Sequence, residues 1–118
     1  MLAKDALGQQ GEQLAADFLA EAGLEVLGRN WRCRQGEIDI VARDGRTLVI
    51  CEVKTRSGVR FGTPVEAITR QKARRLRQLA VAWVTAQGLF FAEIRIDAIG
   101  ILLTAPGEFR IEHLRGVG

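Results

Sequence analysis

The sequence predicts an α/β domain, with a mixed sheet of about five strands flanked by helices in the order α-β-β-β-α-β-β. Three observations carry this reading. Apolar residues recur at helical spacing in two segments, one at the start of the chain and one in its middle. Three strand-like segments lie between them, and the last two are joined by Asp44-Gly45, the turn pair that tight hairpins favour. Two further strand-like segments close the chain, and a sheet covered by helices is the natural way to bury all these faces. No linker composition divides the 118 residues, so 1–118 is read as one domain. A chain of this length buries roughly two-thirds of its unfolded surface and needs no staple to fold.

Residues 3–22 read as the first helix, because Leu7, Gly11, Leu14, Ala15, Phe18, Leu19 and Ala22 fall on one face and Gly23 supplies a stop. Gly8 and Gly11 weaken a helix, which points to something packed closely against them. Strands follow at 25–32 and 37–43, the second with Ile38 and Ile40 on one face and Glu37, Asp39 and Val41 on the other. Residues 46–55 return antiparallel and are apolar enough for a central strand covered on both sides. Residues 56–63 form a basic, glycine-containing loop. The second helix ends near Gly88, and two starts fit it. Thr63-Pro64-Val65-Glu66 matches a capping box with proline at the first position, and Thr69 matches a cap with Ile68 and Ala73 as the staple. Leu76, Leu79, Ala80, Trp83 and Val84 make the buried stripe either way. Strands near 92–103 and 108–114 are joined by Ala105-Pro106-Gly107.

Composition excludes several classes. With 47% apolar and 26% charged residues the chain is globular, not disordered. Cys33, Cys51 and the single His113 make neither a disulfide framework nor a zinc site. The start lacks a signal-peptide core, and no run of 18 apolar residues exists to span a membrane. A reduced, cytoplasmic protein without membrane contact is expected. The net charge of +3 is only mildly basic, so the placement of charge carries more than its sum.

On 46–55, alternation puts Leu48, Ile50, Glu52 and Lys54 on one face, with Glu52 and Lys54 roughly 7 Å apart at about 3.3 Å per residue. The tight turn pairs this strand with 37–43, which brings Asp39 beside Glu52. Charges inside an apolar strand cost several kcal/mol unless paired. One reading is a Glu52–Lys54 ion pair, or an edge strand with a solvated face. The other is that two carboxylates hold Mg²⁺, which prefers a few carboxylates, water and substrate phosphate. The lysine then orients water and stabilises charge developing on the phosphate.

Asp39 followed by Glu52-Val53-Lys54 resembles the PD-(D/E)XK nuclease pattern. The chain as a whole resembles the bacterial YraN family, a small group related to Holliday-junction resolvases. The matching stretches are Gly11-Glu12, Asn30-Trp31-Arg32, GEIDIVARDG (36–45), VICEVKTR (49–56), FGTPVEAIT (61–69), Lys72 and Arg95-Ile96-Asp97. Their order is right and they cover nearly the whole chain. The resemblance implies a restriction-endonuclease-like fold and an endonuclease dependent on Mg²⁺ or Mn²⁺, acting on DNA that includes branched or damaged forms. It also implies that Asp39 and Glu52 are metal ligands, that the Val53 carbonyl completes the protein's share, and that Lys54 acts on the nucleophilic water. Glu12 matches a helix-borne carboxylate brought to the same metal; as a bare residue it equally fits an exposed glutamate favoured by the helix dipole. The pattern's proline before the aspartate is Ile38 here, which is not a ligand position and implies a straighter strand. Resolving relatives act as dimers, so a homodimer is the expectation the resemblance adds.

The segment 70–77 (RQKARRLR) carries five cations, and no acid occurs from Ala67 through Ala92. A solvated helix face is one reading. The missing i,i+4 acids and the cations near a positive helix end favour the other, a positive field for phosphates. On that reading Arg56, Arg60, Arg70, Lys72, Arg74, Arg75 and Arg77 form a nucleic-acid surface. Lys72, four residues from both Ile68 and Leu76, can reach inward toward the carboxylates or a bound phosphate. Trp31 is either core or a stacking platform beside Arg29, Arg32 and Arg34. Asp97 reads as an internal partner of Arg95, Glu37 as the start of a strand, and His113 has no partner visible in sequence. A module that binds nucleic acid without cutting, and a structural protein with Glu52 and Lys54 paired, are the alternatives.

Overall fold

The computed structural model describes residues 2–57 and 68–117, with side chains from residue 6 onward. Helix α1 (Leu2–Glu21) stops at Gly23, whose φ of +96° is a backbone that L side chains resist. Strands β1 (Glu25–Cys33), β2 (Gly36–Asp44) and β3 (Thr47–Ser57) follow, then helix α2 (Arg70–Gln87) and strands β4 (Glu93–Ala105) and β5 (Glu108–Leu114). The order matches the reading from sequence. The hairpin turn sits one residue later than read from sequence: Gly45 (φ +62°) and Arg46 form it between the paired Asp44 and Thr47, so β3 begins at Thr47 and not at Arg46.

The five strands lie in sequence order, β1-β2-β3-β4-β5. The β3–β4 pair is parallel and the others are antiparallel, so the sheet is mixed. A parallel pair needs a crossover, and α2 lies in it. Thr69 is the cap of α2: its Oγ1 accepts from the Lys72 N–H at 3.1 Å while its own backbone stays extended. The alternative start at Thr63-Pro64 and the basic loop around Arg60 lie outside the described residues. Gly88, at φ +68°, ends the helix where expected.

The helices cover opposite sheet faces. Ala15, Ala16 and Leu19 of α1 pack with Ile40, Ala42, Val49, Cys51, Ile99 and Ile101. Leu76, Leu79, Ala80 and Trp83 of α2 pack with Ile38, Val41, Leu48, Ile50 and Ile96. The central strand β3 thus feeds both cores by simple alternation, as its unbroken apolar run predicts. Of the two suspect glycines, Gly11 is buried where a Cβ would overlap Thr55, so α1 approaches β3 only because no side chain intervenes. Nothing lies within 4 Å of a Cβ added at Gly8. Among the described residues no helix is long and apolar enough to cross a membrane.

Strand β2 corrects one expectation. Ile38 and Ile40 are both fully buried, yet Ile38 packs on the α2 side and Ile40 on the α1 side. The two-residue period therefore breaks at Asp39. The paired strand breaks at the same level: Arg29 reaches Gln13 of α1, while Trp31 packs on the α2 side. Between them Asn30 adopts φ of +52°, the only positive φ of a non-glycine among the described residues. Asparagine tolerates this conformation better than other L residues. One left-handed residue turns the β1–β2 ribbon over, and at the ribbon's end a Cβ added to Gly36 would lie 3.4 Å from Leu79 Cδ1 on α2. The strand does not run straighter with Ile38 in place of proline; it turns there.

Candidate functional site

The turn of the ribbon makes the site. Strands β2 and β3 pair from Asp44–Thr47 as far as Ile40–Cys51, and then β2 leaves. The Val53 N–H, which has lost a strand partner on that side, is taken by the Asp39 side chain, with Oδ2 accepting at 2.8 Å. A carboxylate thereby replaces a carbonyl at the point of divergence. This bond, and not a continued ladder, holds Asp39 beside Glu52, the neighbour expected from sequence.

Asp39 and Glu52 line one cleft of about 520 Å³ between the ribbon end and α2, together with Gly36, Glu37, Lys72 and Arg75. Burial pushes the Asp39 carboxyl up to about 6, the Val53 N–H opposes this, and Glu52, Glu12 and Glu37 raise it further by repulsion. Four acids therefore share one neighbourhood around Asp39. Glu12 is half-buried on α1 and repels Asp39 less than Glu52 does. Glu37 pairs with Arg32 at 3.0 Å on the rim.

The partner of Glu52 is Lys72 of α2, whose Nζ contacts Glu52 Oε2. The Glu52–Lys54 pair considered from sequence is not seen. Lys54 stands two residues along β3 from Glu52, half-buried, and makes no ion pair among the described residues. Lys72 thus reaches inward, one of the two destinations its spacing allows. It occupies the first turn of α2, which carries no acid of its own to compensate the charge.

The other cations of α2 divide by helical angle. Arg75 lines the carboxylate cleft, whereas Arg70, Arg74 and Arg77 flank a separate surface depression. Arg77 donates to the Ile94 carbonyl at 3.2 Å. Arg56 is exposed at the end of β3, and Arg60 lies outside the described residues. Trp31 is half-buried against the α2-side core, and Trp83 is buried within it.

A second charged group was only half legible from sequence. Asp97 is fully buried and accepts from Arg95 Nε at 2.9 Å and Nη2 at 3.1 Å, as its spacing from Arg95 suggests. Its other partners are His113 Nε2 at 2.8 Å and the Gly116 N–H at 3.0 Å. Arg95 continues to Asp44 at 3.2 Å, and Phe18 of α1 meets the His113 ring edge-on with centroids 5.8 Å apart. The signal for His113 was its place on the last strand, where alternation sets it on the same face as Ile111, but its distance from Asp97 in sequence hid the pairing. This group ties β5 and the residues just after it to β4. Cys51, fully buried next to it, has its thiol pushed far up by burial and is unreactive in the fold.

The model of the uncharacterised protein family UPF0102 matches residues 11–101, which run from the middle of α1 into β4. The chain is 55% identical to a UPF0102 protein of Beutenbergia cavernae over 118 residues, covering all of both chains. It is 54% identical to one of Renibacterium salmoninarum, again over all of both chains. With one of a Nocardioides strain it shares 53% identity over 98% of this chain and 93% of the relative.

Proposed function

The chain belongs to the uncharacterised protein family UPF0102, and for it we propose a restriction-endonuclease-like enzyme that hydrolyses phosphodiester bonds of DNA with a divalent cation, Mg²⁺ or Mn²⁺. The observation that carries this reading is the pair Asp39–Glu52, two carboxylates from adjacent strands facing one open cleft whose other wall is the cationic helix α2.

The donor chemistry fits a hard cation. Asp39 and Glu52 offer carboxylate oxygens, and the Val53 carbonyl is the third candidate donor. Burial first, and then repulsion from the neighbouring acids, lifts Asp39, a stress that a cation beside it would relieve. Among the described residues no group of three or more acidic, histidine or cysteine side chains is placed to hold a metal ion, so the proposed protein share is two carboxylates and a backbone carbonyl. An open set of this kind suits Mg²⁺, which keeps several waters and takes substrate phosphate as a ligand. Glu12 of α1, whose charge acts on Asp39, is the further candidate donor.

When bound, the cation supplies Lewis-acid polarisation of a phosphoryl oxygen. The chain's own residues do the rest. The Val53 N–H fixes Asp39 in one orientation. Lys54, on the sheet face of Glu52, orients the attacking water and offsets charge that develops on the phosphate. Arg75 and the outer cations Arg70 and Arg74 hold flanking phosphates, a sequence-independent attraction that suits recognition by DNA shape.

The test is incubation of the protein with single-stranded, duplex, flapped and four-way-junction DNA in Mg²⁺, Mn²⁺ or EDTA, beside Asp39→Ala and Lys54→Ala. Cleavage that needs metal and vanishes in both folded variants is expected. Cleavage that persists in them refutes the site. Binding without cleavage under every condition refutes the enzyme and leaves a nucleic-acid-binding module with the same cleft.

A further inference from the structure

We infer that Lys72 couples the cation to the phosphate: it occupies Glu52 while the cation is absent, is displaced when the cation binds, and then takes a phosphate oxygen of the incoming strand. The inference rests on the nuclease reading and extends it to the order and cooperativity of binding.

Four observations support it. Glu52 is nearly enclosed, its side chain 12% exposed, and its ion-pair contact is with the Lys72 ammonium. An acid so placed is costly when unpaired, so a resident cation is needed whenever the divalent ion is missing. Lys72 itself is 35% exposed and comes from a four-carbon stem, so it has both the access and the reach to leave. Its backbone is fixed at the start of α2 by the Thr69 cap, so the ammonium swings about a fixed root and stays at the cleft. Finally, its neighbour along the cleft wall is Arg75, a second cation with no acid between them on the helix. A lysine released from Glu52 therefore stands beside a second cation on the helix wall, where an anionic phosphate can bridge the two.

A divalent ion and an ammonium cannot share Glu52 at contact distance without strong like-charge repulsion. Each must weaken the other there. Once Lys72 has moved to a phosphate, that opposition is gone, so cation and DNA favour each other's binding by the same factor. The lysine that blocks the metal position in the empty cleft is thus the means by which metal and substrate are admitted together.

The experiment measures Mn²⁺ binding to the intact protein by calorimetry and by the decrease of the free-ion electron paramagnetic resonance signal, without DNA. It compares wild type with Lys72→Met, which keeps the stem and removes the charge, and Lys72→Arg, which keeps the charge. Duplex and junction DNA binding is then followed by fluorescence anisotropy in Ca²⁺ and in EDTA. Lys72→Met is expected to bind Mn²⁺ roughly three- to tenfold more tightly, the scale set by removal of one partly exposed ion pair. Lys72→Arg is expected to stay near wild type. The gain in DNA affinity on adding Ca²⁺ is expected in wild type and reduced in Lys72→Met. Equal or weaker Mn²⁺ binding by Lys72→Met overturns the role of Lys72 alone. Failure of all three proteins to bind Mn²⁺ overturns the metal site, and this inference with it.

Discussion

Asp39→Asn tests the electrostatics of the cleft without any assumption about substrate. The Asp39 carboxyl is raised from 3.8 to about 6, chiefly by burial and then by the neighbouring acids. At about 1.4 kcal/mol per pH unit, holding this group ionised costs the fold on the order of 3 kcal/mol. The sign follows from proton counting. Between about pH 4 and 6 the folded chain holds a proton that the unfolded chain has released, so stability falls as pH rises through this window. Below it Asp39 is protonated in both states and the cost is absent; above it the cost is complete and constant. Asparagine keeps an oxygen for the Val53 N–H and removes the charge. Asp39→Asn should therefore be more stable than wild type by about 2–3 kcal/mol at pH 7.5 in EDTA, with little difference at pH 4. Urea denaturation at half-unit pH steps, read by tryptophan fluorescence and by circular dichroism, gives the comparison. Equal stability at pH 7.5, or a difference that does not shrink toward pH 4, refutes the claim that Asp39 is a stressed, ionised acid. If the proposed metal site is right, saturating Mn²⁺ should close the gap by stabilising wild type alone, since a ligand of the folded state adds to its stability.

Three other outcomes are expected. Gly11→Ala adds a Cβ that would overlap Thr55 Oγ1 and lie 2.7 Å from Thr55 Cβ; despite the gain in helix propensity it should destabilise by about 1–3 kcal/mol, and the penalty should shrink in a Thr55→Ala background, as a double-mutant cycle in urea will show. Asp97→Ala leaves Arg95 and His113 without their shared partner and should cost about 3–5 kcal/mol in the same assay, whereas a cost under 1 kcal/mol would mean the pair is solvated. For DNA binding, Arg74→Ala and Arg75→Ala should each flatten the slope of log affinity against log salt by about 0.9 for each phosphate no longer neutralised, and Arg77→Ala by less, because its guanidinium already donates to Ile94.

The hydrophobic pattern alone was sufficient to order the elements. Helical spacing over 3–22 and 76–84, the Asp44-Gly45 turn and the unbroken apolar run of 46–55 are local signals, and each corresponds to a local structure governed by backbone geometry. That Asp39 and Glu52 are near neighbours was legible from the antiparallel hairpin, although the ladder itself ends at Ile40–Cys51 and the Asp39 side chain on the Val53 N–H holds them together beyond it. Arg95 and Asp97 were legible because they stand two apart on one strand face. Beyond these, spacing fails, because strand period says which face a side chain takes only while the strand is regular. The left-handed Asn30 breaks that period in β1 and, across the ladder, in β2 at Asp39, so Ile38 and Ile40 part company and the cleft opens. Which lysine meets Glu52 depends on how α2 is rotated and seated over the sheet, a property of packed Leu76, Leu79 and Trp83 against both strands and ribbon. His113 finds Asp97 through a hairpin register and an edge-on Phe18 supplied from the first helix. The elements, their order and the carboxylate pair were thus readable from the residues alone, because they follow from contacts between near neighbours. Packing chose the partners of the charges, because a buried charge pairs with whatever cation the folded surfaces bring within reach, and that distance is not a function of sequence separation.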